Sequence, residues 1–370
     1  MKTGYLIIFI LLCALYFAMT AFPFVLSSFA PKPGDKRRLN VRANNRKDPR
    51  FFVKSFQSIF SKAMENGIHN GVLHLSKDEP VFPADQITPE TQIVPELLVE
   101  AHSFSTDHPM EFQKEVYVRG DASLASGTTV RAITAKNLRL DSDSTVIRWA
   151  DGEESAVCRD GCNLGTSFTS AGRLLVGKNS SFQKLYAPEI CIGDSFLEEE
   201  TEASDENEPK NKTAILRHYL TLLEASYEND PKNKTLTRNL REVSAGTAVN
   251  ATIVTKNDLS VGESARIFGD VKSNRKITIG RNAVICGNVF ADGSIVIEDG
   301  ARILGDVFSQ EDIYLGSGAV IGSSGKIKSL LARRNIYLSE GSRIYGYIGC
   351  EHQGWTMAGD ELSQSLGRLA

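Results

Sequence analysis

The sequence predicts an all-β fold: a single-layer parallel β-helix of about 18 residues per coil, in two modules, preceded by a transmembrane helix. Three observations carry this. Every sixth position over 253–319 is small or branched and apolar: Ile253, Leu259, Ala265, Val271, Ile277, Ala283, Val289, Ile295, Ala301, Val307, Ile313 and Ala319. A second apolar series, Val261, Ile267, Ile279, Ile285, Ile297, Ile303, Leu315 and Ile321, interleaves it. Like residues return at the eighteenth position, as a three-cornered coil requires when each turn stacks on the last. Neither the 3.6-residue period of a helix nor the alternation of an ordinary sheet gives six and eighteen. Such coils bury their apolar face only by stacking on neighbours.

The elements run in chain order. Residues 3–31 carry no charge and 6–22 are almost wholly apolar, enough to cross a hydrocarbon core of about 30 Å. A transmembrane anchor is expected over 4–28. A cleaved signal ending at Ser28-Phe29-Ala30 competes with it, but the apolar stretch is long, only Lys2 precedes it, and Pro31 would follow the cut. Lys32, Lys36, Arg37, Arg38, Arg42, Arg46, Lys47 and Arg50 all follow the span. The positive-inside rule then puts the body in the cytoplasm, with these cations near anionic lipid. The basic juxtamembrane stretch 29–111 holds a short amphipathic helix over 51–64, with Phe52, Phe56, Ile59, Phe60 and Ala63 at helical spacing and Lys54 and Lys62 outside it. Docking on lipid and packing on the folded body are both open to this helix. Residues 67–111 contain Pro80, Pro83, Pro89, Pro95 and Pro109 without a period. They read as an extended tether with one short strand at 72–75.

The first β-helical module is expected over 112–197. Leu138-Arg139-Leu140 and Leu174-Leu175-Val176 lie 36 residues apart, two coils, and Val146 and Phe182 share that offset. Ala132-Ile133-Thr134-Ala135-Lys136-Asn137-Leu138 echoes Thr252-Ile253-Val254-Thr255-Lys256-Asn257-Asp258-Leu259, which suggests a duplicated module. Residues 150–165 read as a looped-out side. An acidic linker with a helix is expected over 198–242. Its helix, 213–227, has an apolar face of Ile215, Leu216, Tyr219, Leu222 and Leu223, and the open end of a β-helix is the place to bury it. The second module is expected over 243–350. Its last coil is offset, Ile336-Tyr337-Leu338 lying 23 residues after Ile313-Tyr314-Leu315, with the excess bulging around 326–334. Residues 351–370, with Trp355, read as a frayed tail.

Chemistry-bearing clusters are sparse. A net charge of -3 excludes a nucleic-acid binder that relies on basic excess. Cys13, Cys158, Cys162, Cys191, Cys286 and Cys350 form no CxxC pair, and Cys158 with Cys162 reads as buried thiols rather than a disulfide or metal site. Gly269, Gly287 and Gly305 stack one coil apart, as a corner needing positive φ would ask. Beside them Asp270, Asn288 and Asp306 form a column, read as turn-stabilising Asx side chains rather than a metal or sugar site. A hexapeptide-repeat acyltransferase needs a histidine base between coils, yet His69, His74, His102, His108, His218 and His352 all lie outside the regular coils. A zinc site of carbonic-anhydrase type fails for the same reason. No acidic and basic cluster of polysaccharide-lyase type converges, and GxxxxGK[ST] is absent. Arg333 and Arg334 are a partner-docking candidate set against a plain solvated loop. No catalytic, cofactor-binding or metal residue is named, no cofactor is expected, and the chain is read as not an enzyme.

The motifs Ile267-Phe268-Gly269-Asp270-Val271, Ile285-Cys286-Gly287-Asn288-Val289 and Ile303-Leu304-Gly305-Asp306-Val307, with Ile277-Thr278-Ile279-Gly280, resemble the bactofilin (polymer-forming cytoskeletal) family. The match is good over 251–321, looser to Gly349 and suggestive over 115–194. The resemblance implies a right-handed parallel β-helix, end-to-end polymerisation without nucleotide, attachment to the inner face of the bacterial membrane, and scaffolding of envelope or cell-shape machinery. Partners so implied are further copies of the chain through the coil ends, the membrane, and envelope proteins. Two departures stand out: two modules where the family has one, and a helix able to cap a coil end. A hexapeptide-repeat acyltransferase-like or polysaccharide-binding β-helix protein is the alternative.

Overall fold

The chain is described by a computed structural model over residues 48–65, 72–75, 78–193, 234–237 and 240–359, with Met19. The expected transmembrane anchor at 4–28, the basic flank before Asp48, the acidic run and the helix at 213–227 lie outside the described residues. Among the described residues no helix is long and apolar enough to cross a membrane. The chain divides into two units, 1–48 and 49–370, and every described strand belongs to the second.

The strands of this second unit stack as an all-β solenoid of about 13 turns at about 18-residue spacing. Each coil of the regular region contributes three short strands, for example Val271–Ser273, Ile277–Ile279 and Val284–Ile285. Each pairs in parallel with the strand 18 residues on, Val271 with Val289, Ile277 with Ile295, Ile285 with Ile303. The apolar ladders read from the sequence are the interior: Ile253, Leu259, Ala265, Val271, Ile277 and Ala283 are each 0–2 % exposed. β-Branched side chains suit these two- and three-residue strands because they pack on a pleated wall with few rotamers.

One corner is built the same way from Gly127 onward; the coil before it has Pro109 and the buried Met110 there. A residue with positive φ stands at Gly127, Asp143, Gly161 and Asn179 in the first module, and at Gly246, Ser264, Asn282, Gly300, Gly318 and Gly341 in the second. A small residue follows each, from Thr128 and Ser144 to Ala301, Ala319 and Ser342. The left-handed turn tolerates Gly, Asn and Asp, and from Thr128 onward the residue at this vertex is small.

The first module is longer than expected. Residues 78–111 are not a tether: Asp78–Phe82, Ile93–Val94, Leu97–Glu100 and Phe104–Ser105 are coil strands, in register with residues 16 to 18 positions on. The prolines fall at corners or, as Pro80, on the outermost turn, where a missing N–H is tolerated. A short antiparallel hairpin of Val72–His74 with Asp78–Phe82 blunts that end. Residues 150–165 are not looped out either. The strand Thr145–Cys158 runs through them and pairs in parallel on both sides. Polar residues here mimic a loop in the sequence: Asp151 is buried against Arg50 at the start of a helix, while Glu153, Glu154, Arg159 and Asn163 are exposed on the outside of the coil.

The second module starts earlier than 243, since Lys234–Thr237 already pairs with Ala251–Val254. The five-residue excess of the 23-residue coil falls between Ile321 and Lys328, not around 326–334. The expected tail is also structured: the strand Arg343–Met357 carries the chain through Trp355, which stacks on Tyr337 at 5.2 Å as Tyr337 stacks on Tyr314 at 4.8 Å.

The two modules are joined end to end. Their last strands, Ser181–Ile192 and Arg343–Met357, pair antiparallel, Leu185 opposite Ile348 and Tyr186 opposite Tyr347. One inner column therefore runs Leu98, Val116, Ile133, Ala150, Phe168, Leu185 and then, in reverse chain direction, Ile348, Leu330, Val307, Val289, Val271, Ile253. All of these belong to a single apolar core.

Candidate functional site

The helix Phe51–Glu65 lies on the outside of the first module. The sequence leaves open whether its apolar side meets lipid or protein; Val53, Phe60 and Ala63 are buried against the body. Phe56 meets Trp149 edge-on at 5.0 Å and Phe60 stacks on Tyr117 at 5.4 Å. With Leu73, Val81, Leu97 and Val99 these form a second small core on the outer wall. Polar contacts fix its register: Gln57 donates to Thr134 Oγ1 at 2.8 Å, and Ser61 Oγ lies 3.3 Å from Tyr117 Oη.

At the start of this helix Arg50 makes a two-pronged ion pair with Asp151, Nε to Oδ1 at 2.7 Å and Nη2 to Oδ2 at 2.6 Å. Both are buried, and Thr169 Oγ1 also donates to Asp151 Oδ1. Two planar forks facing each other give a geometry that a lysine would not reproduce. Sequence reasoning misses this pair. Arg50 is one of many cations in the basic flank, and Asp151 falls in a stretch whose polar pattern reads as a loop.

The Asx residues form a column, as expected, but each side chain bonds the next coil and not its own turn. Asp270 Oδ1 accepts the Asn288 amide at 2.7 Å, Asn288 Oδ1 the Asp306 amide at 2.8 Å, and Asp306 Oδ1 the Ser329 amide at 2.7 Å. The neighbouring glycines serve a different purpose from the one expected: none of Gly269, Gly287 and Gly305 is among the positive-φ residues. They are there for closeness. A Cβ on Gly269 would stand 2.5 Å from the Ala251 carbonyl, and one on Gly287 2.6 Å from the Gly269 carbonyl.

Arg333 and Arg334 do not sit in a bulge. Their amides bond the Ser309 and Glu311 carbonyls as at any coil corner, and Arg333 pairs with Glu351 at 3.9 Å. The bulge is 322–327, closed by a bridge between Ser323 and Lys326, with Ile327 exposed. Cys158, Cys162, Cys191, Cys286 and Cys350 are buried and form no disulfide among the described residues. Burial pushes the Cys158 thiol well up, while its hydrogen bond to Cys162 draws the latter down. His108 is held by the Thr91 carbonyl at 2.8 Å and by Asp107 at 2.6 Å, and His102 stands 3.5 Å from Glu100. Among the described residues no three His, Cys, Asp or Glu side chains are placed to hold a metal. Two surface grooves are present: about 260 Å³ beside Arg241, Asp258, Arg275 and Lys276, and about 560 Å³ beside Asp85, Glu100, Asp107 and His108. In the second, both ring nitrogens of His108 are held, one by Asp107 and one by the Thr91 carbonyl.

What the chain offers instead is edges. No family model, no curated protein and no solved structure matches it. The last strand of each module is occupied by the other. Among the described strands, the opening coils hold ones paired on one side only: Ile93–Val94 and Phe104–Ser105 in the first module, and in the second Lys234–Thr237, which pairs with Ala251–Val254, and Glu242–Val243, which pairs with Ser260–Val261.

Proposed function

We propose that the protein is a membrane-anchored structural scaffold of the bactofilin kind. It acts without catalysis, assembles end to end without nucleotide at the cytoplasmic face of a bacterial membrane, and organises envelope or cell-shape machinery there. The observation that carries the reading is the antiparallel joint of Ser181–Ile192 with Arg343–Met357. It is a coil end meeting a coil end by main-chain bonds and a continued core, with no other component. An unpaired strand edge invites another chain in the same way. Because that joint engages both final coils, assembly between molecules uses the opening coils, and foremost Lys234–Thr237, since the hairpin Val72–His74 blunts the other tip. Anchoring rests on the apolar stretch 6–22 and the cations that follow it.

Sedimentation and negative-stain microscopy of the full chain, without nucleotide, test this. Filaments or a concentration-dependent series of oligomers are expected. Thr235→Pro, which removes a main-chain donor from the strand Lys234–Thr237, is expected to abolish them. Monodisperse monomers at every concentration would reject assembly.

A further inference from the structure

One face of the solenoid is continuous across both modules. Its outward column runs Val99, Tyr117, Thr134, Asp151, Thr169, Tyr186, then Tyr347 and Ser329 beyond the joint. The helix Phe51–Glu65 lies on the first half of this face, and the chain enters the unit there through the Arg50–Asp151 pair.

Within the second unit only four large apolar side chains among the described residues are exposed: Ile59, Ile93, Ile147 and Ile327. Three of them border this face. Ile59 is on the helix. Ile147 lies two residues before Trp149, the ring that Phe56 touches. Ile327 immediately precedes Lys328–Ala332, the strand of the same face beyond the joint. Since chain direction reverses at the joint, Ile147 and Ile327 stand on opposite edges. Each is flanked by cations: Lys62 follows Ile59 by three, Arg148 adjoins Ile147, and Lys326 and Lys328 enclose Ile327. Lys184, exposed and opposite Gly349, adds another at the joint. Of the carboxylates on the face, Glu115 is offset by arginine, while Asp270 and Asp306 keep their charge. Glu115 lies near both Arg131 and Arg148, at 3.6 and 3.7 Å, and Asp270 and Asp306 each hold an amide of the next coil.

Isolated isoleucines ringed by lysine and arginine are the chemistry of a surface that rests on anionic headgroups, where shallow apolar contact and charge attraction act together. We propose that this face lies flat against an anionic phospholipid bilayer, so that the coil axis runs parallel to the membrane. The inference rests on the membrane-anchored reading above and adds which face turns to the lipid.

The test uses the full chain with Trp355→Phe, leaving Trp149 as its one tryptophan, reconstituted in nanodiscs containing headgroup-nitroxide lipid. Strong quenching of Trp149 is expected in phosphatidylglycerol discs and little in phosphatidylcholine discs. Ile147→Ser with Arg148→Glu should relieve it, each basic residue lost weakening the contact about fivefold. Ile327→Ser with Lys328→Glu should do the same from the other edge, while Ile93→Ser, off the face, leaves it unchanged. Equal quenching in both lipids, or equal relief by Ile93→Ser, would overturn the proposal. A chain that enters the discs without quenching sinks the face alone; a chain that fails to enter either disc sinks the anchor.

Discussion

Ser342 ends a run of four alanines at one corner of the second module. Ala265, Ala283, Ala301 and Ala319 fill the inner vertex of successive coils, and the next coil places Ser342 there after Gly341. Its Oγ is fully buried and has no hydrogen-bond partner among the described residues; Ser339 Oγ, three positions earlier, is in the same state. An unpaired buried hydroxyl costs about 1–3 kcal/mol relative to its hydrated state. Alanine removes that cost and leaves only the volume of one oxygen unfilled. Ser342→Ala is therefore expected to raise stability by about 1 kcal/mol. Thr356 lies close by in chain and space but differs: its Oγ1 donates to the Gly177 carbonyl at 2.7 Å and accepts the Ser180 amide at 2.8 Å. Thr356→Ala strands both groups at the joint and should lower stability by about 2 kcal/mol. Urea unfolding followed by far-UV circular dichroism reads both as midpoint shifts at constant slope. If Ser342→Ala lowers the midpoint as Thr356→Ala does, the account of the vertex is wrong.

Three further outcomes are expected from the same geometry. Arg50→Ala leaves Asp151 charged, buried and unpaired, and should cost about 3–5 kcal/mol, whereas Arg50→Met with Asp151→Leu should recover most of it; protease protection of the helix Phe51–Glu65 reports this directly. Gly287→Ala should be poorly tolerated, because its Cβ meets the Gly269 backbone at 2.6 Å. Gly246→Ala, with nothing within 4 Å, should cost only the roughly 1 kcal/mol of a left-handed alanine; soluble yield and urea midpoint separate the two. The Thr91 carbonyl and Asp107 raise the pKa of His108 above its ordinary value. The charged imidazole is thus favoured in the fold, so its contribution is fully present below the ordinary imidazole range and is lost as pH rises through the raised value. His108→Gln should flatten that part of the pH–stability curve, and an unchanged curve would count against the contact.

The second module is the more legible because it repeats without interruption. Residues 253–319 carry their core positions at strict intervals, and the structure buries each of them. The Asx ladder is legible for the same reason, since a side chain that bonds the next coil must recur at the coil period. The first module is harder. A 16-residue coil between Thr129 and Thr145 breaks the phase, and prolines over 80–109 mask it further. The Asp151 column is illegible for a different reason. Its outward face is covered by the helix, so it carries tyrosine, threonine and a paired aspartate where an exposed wall would vary. The joint cannot be read at all, because antiparallel contact between two ends leaves no mark on the period. What could have pointed to it is the strand character of Arg343–Met357, which carries on through Gly354-Trp355-Thr356 past the expected end of the module at 350.

The seam between the modules has a consequence for direction. Since the halves meet by their finishing turns, both outer tips are beginnings, and the second unit has no head that differs from its tail in strand sense. The two beginnings are alike in strand sense but not in finish: one is folded over by the hairpin of Val72–His74 with Asp78–Phe82, the other opens on Lys234–Thr237. Whatever polarity the unit has comes from how its tips are dressed and not from the run of its strands.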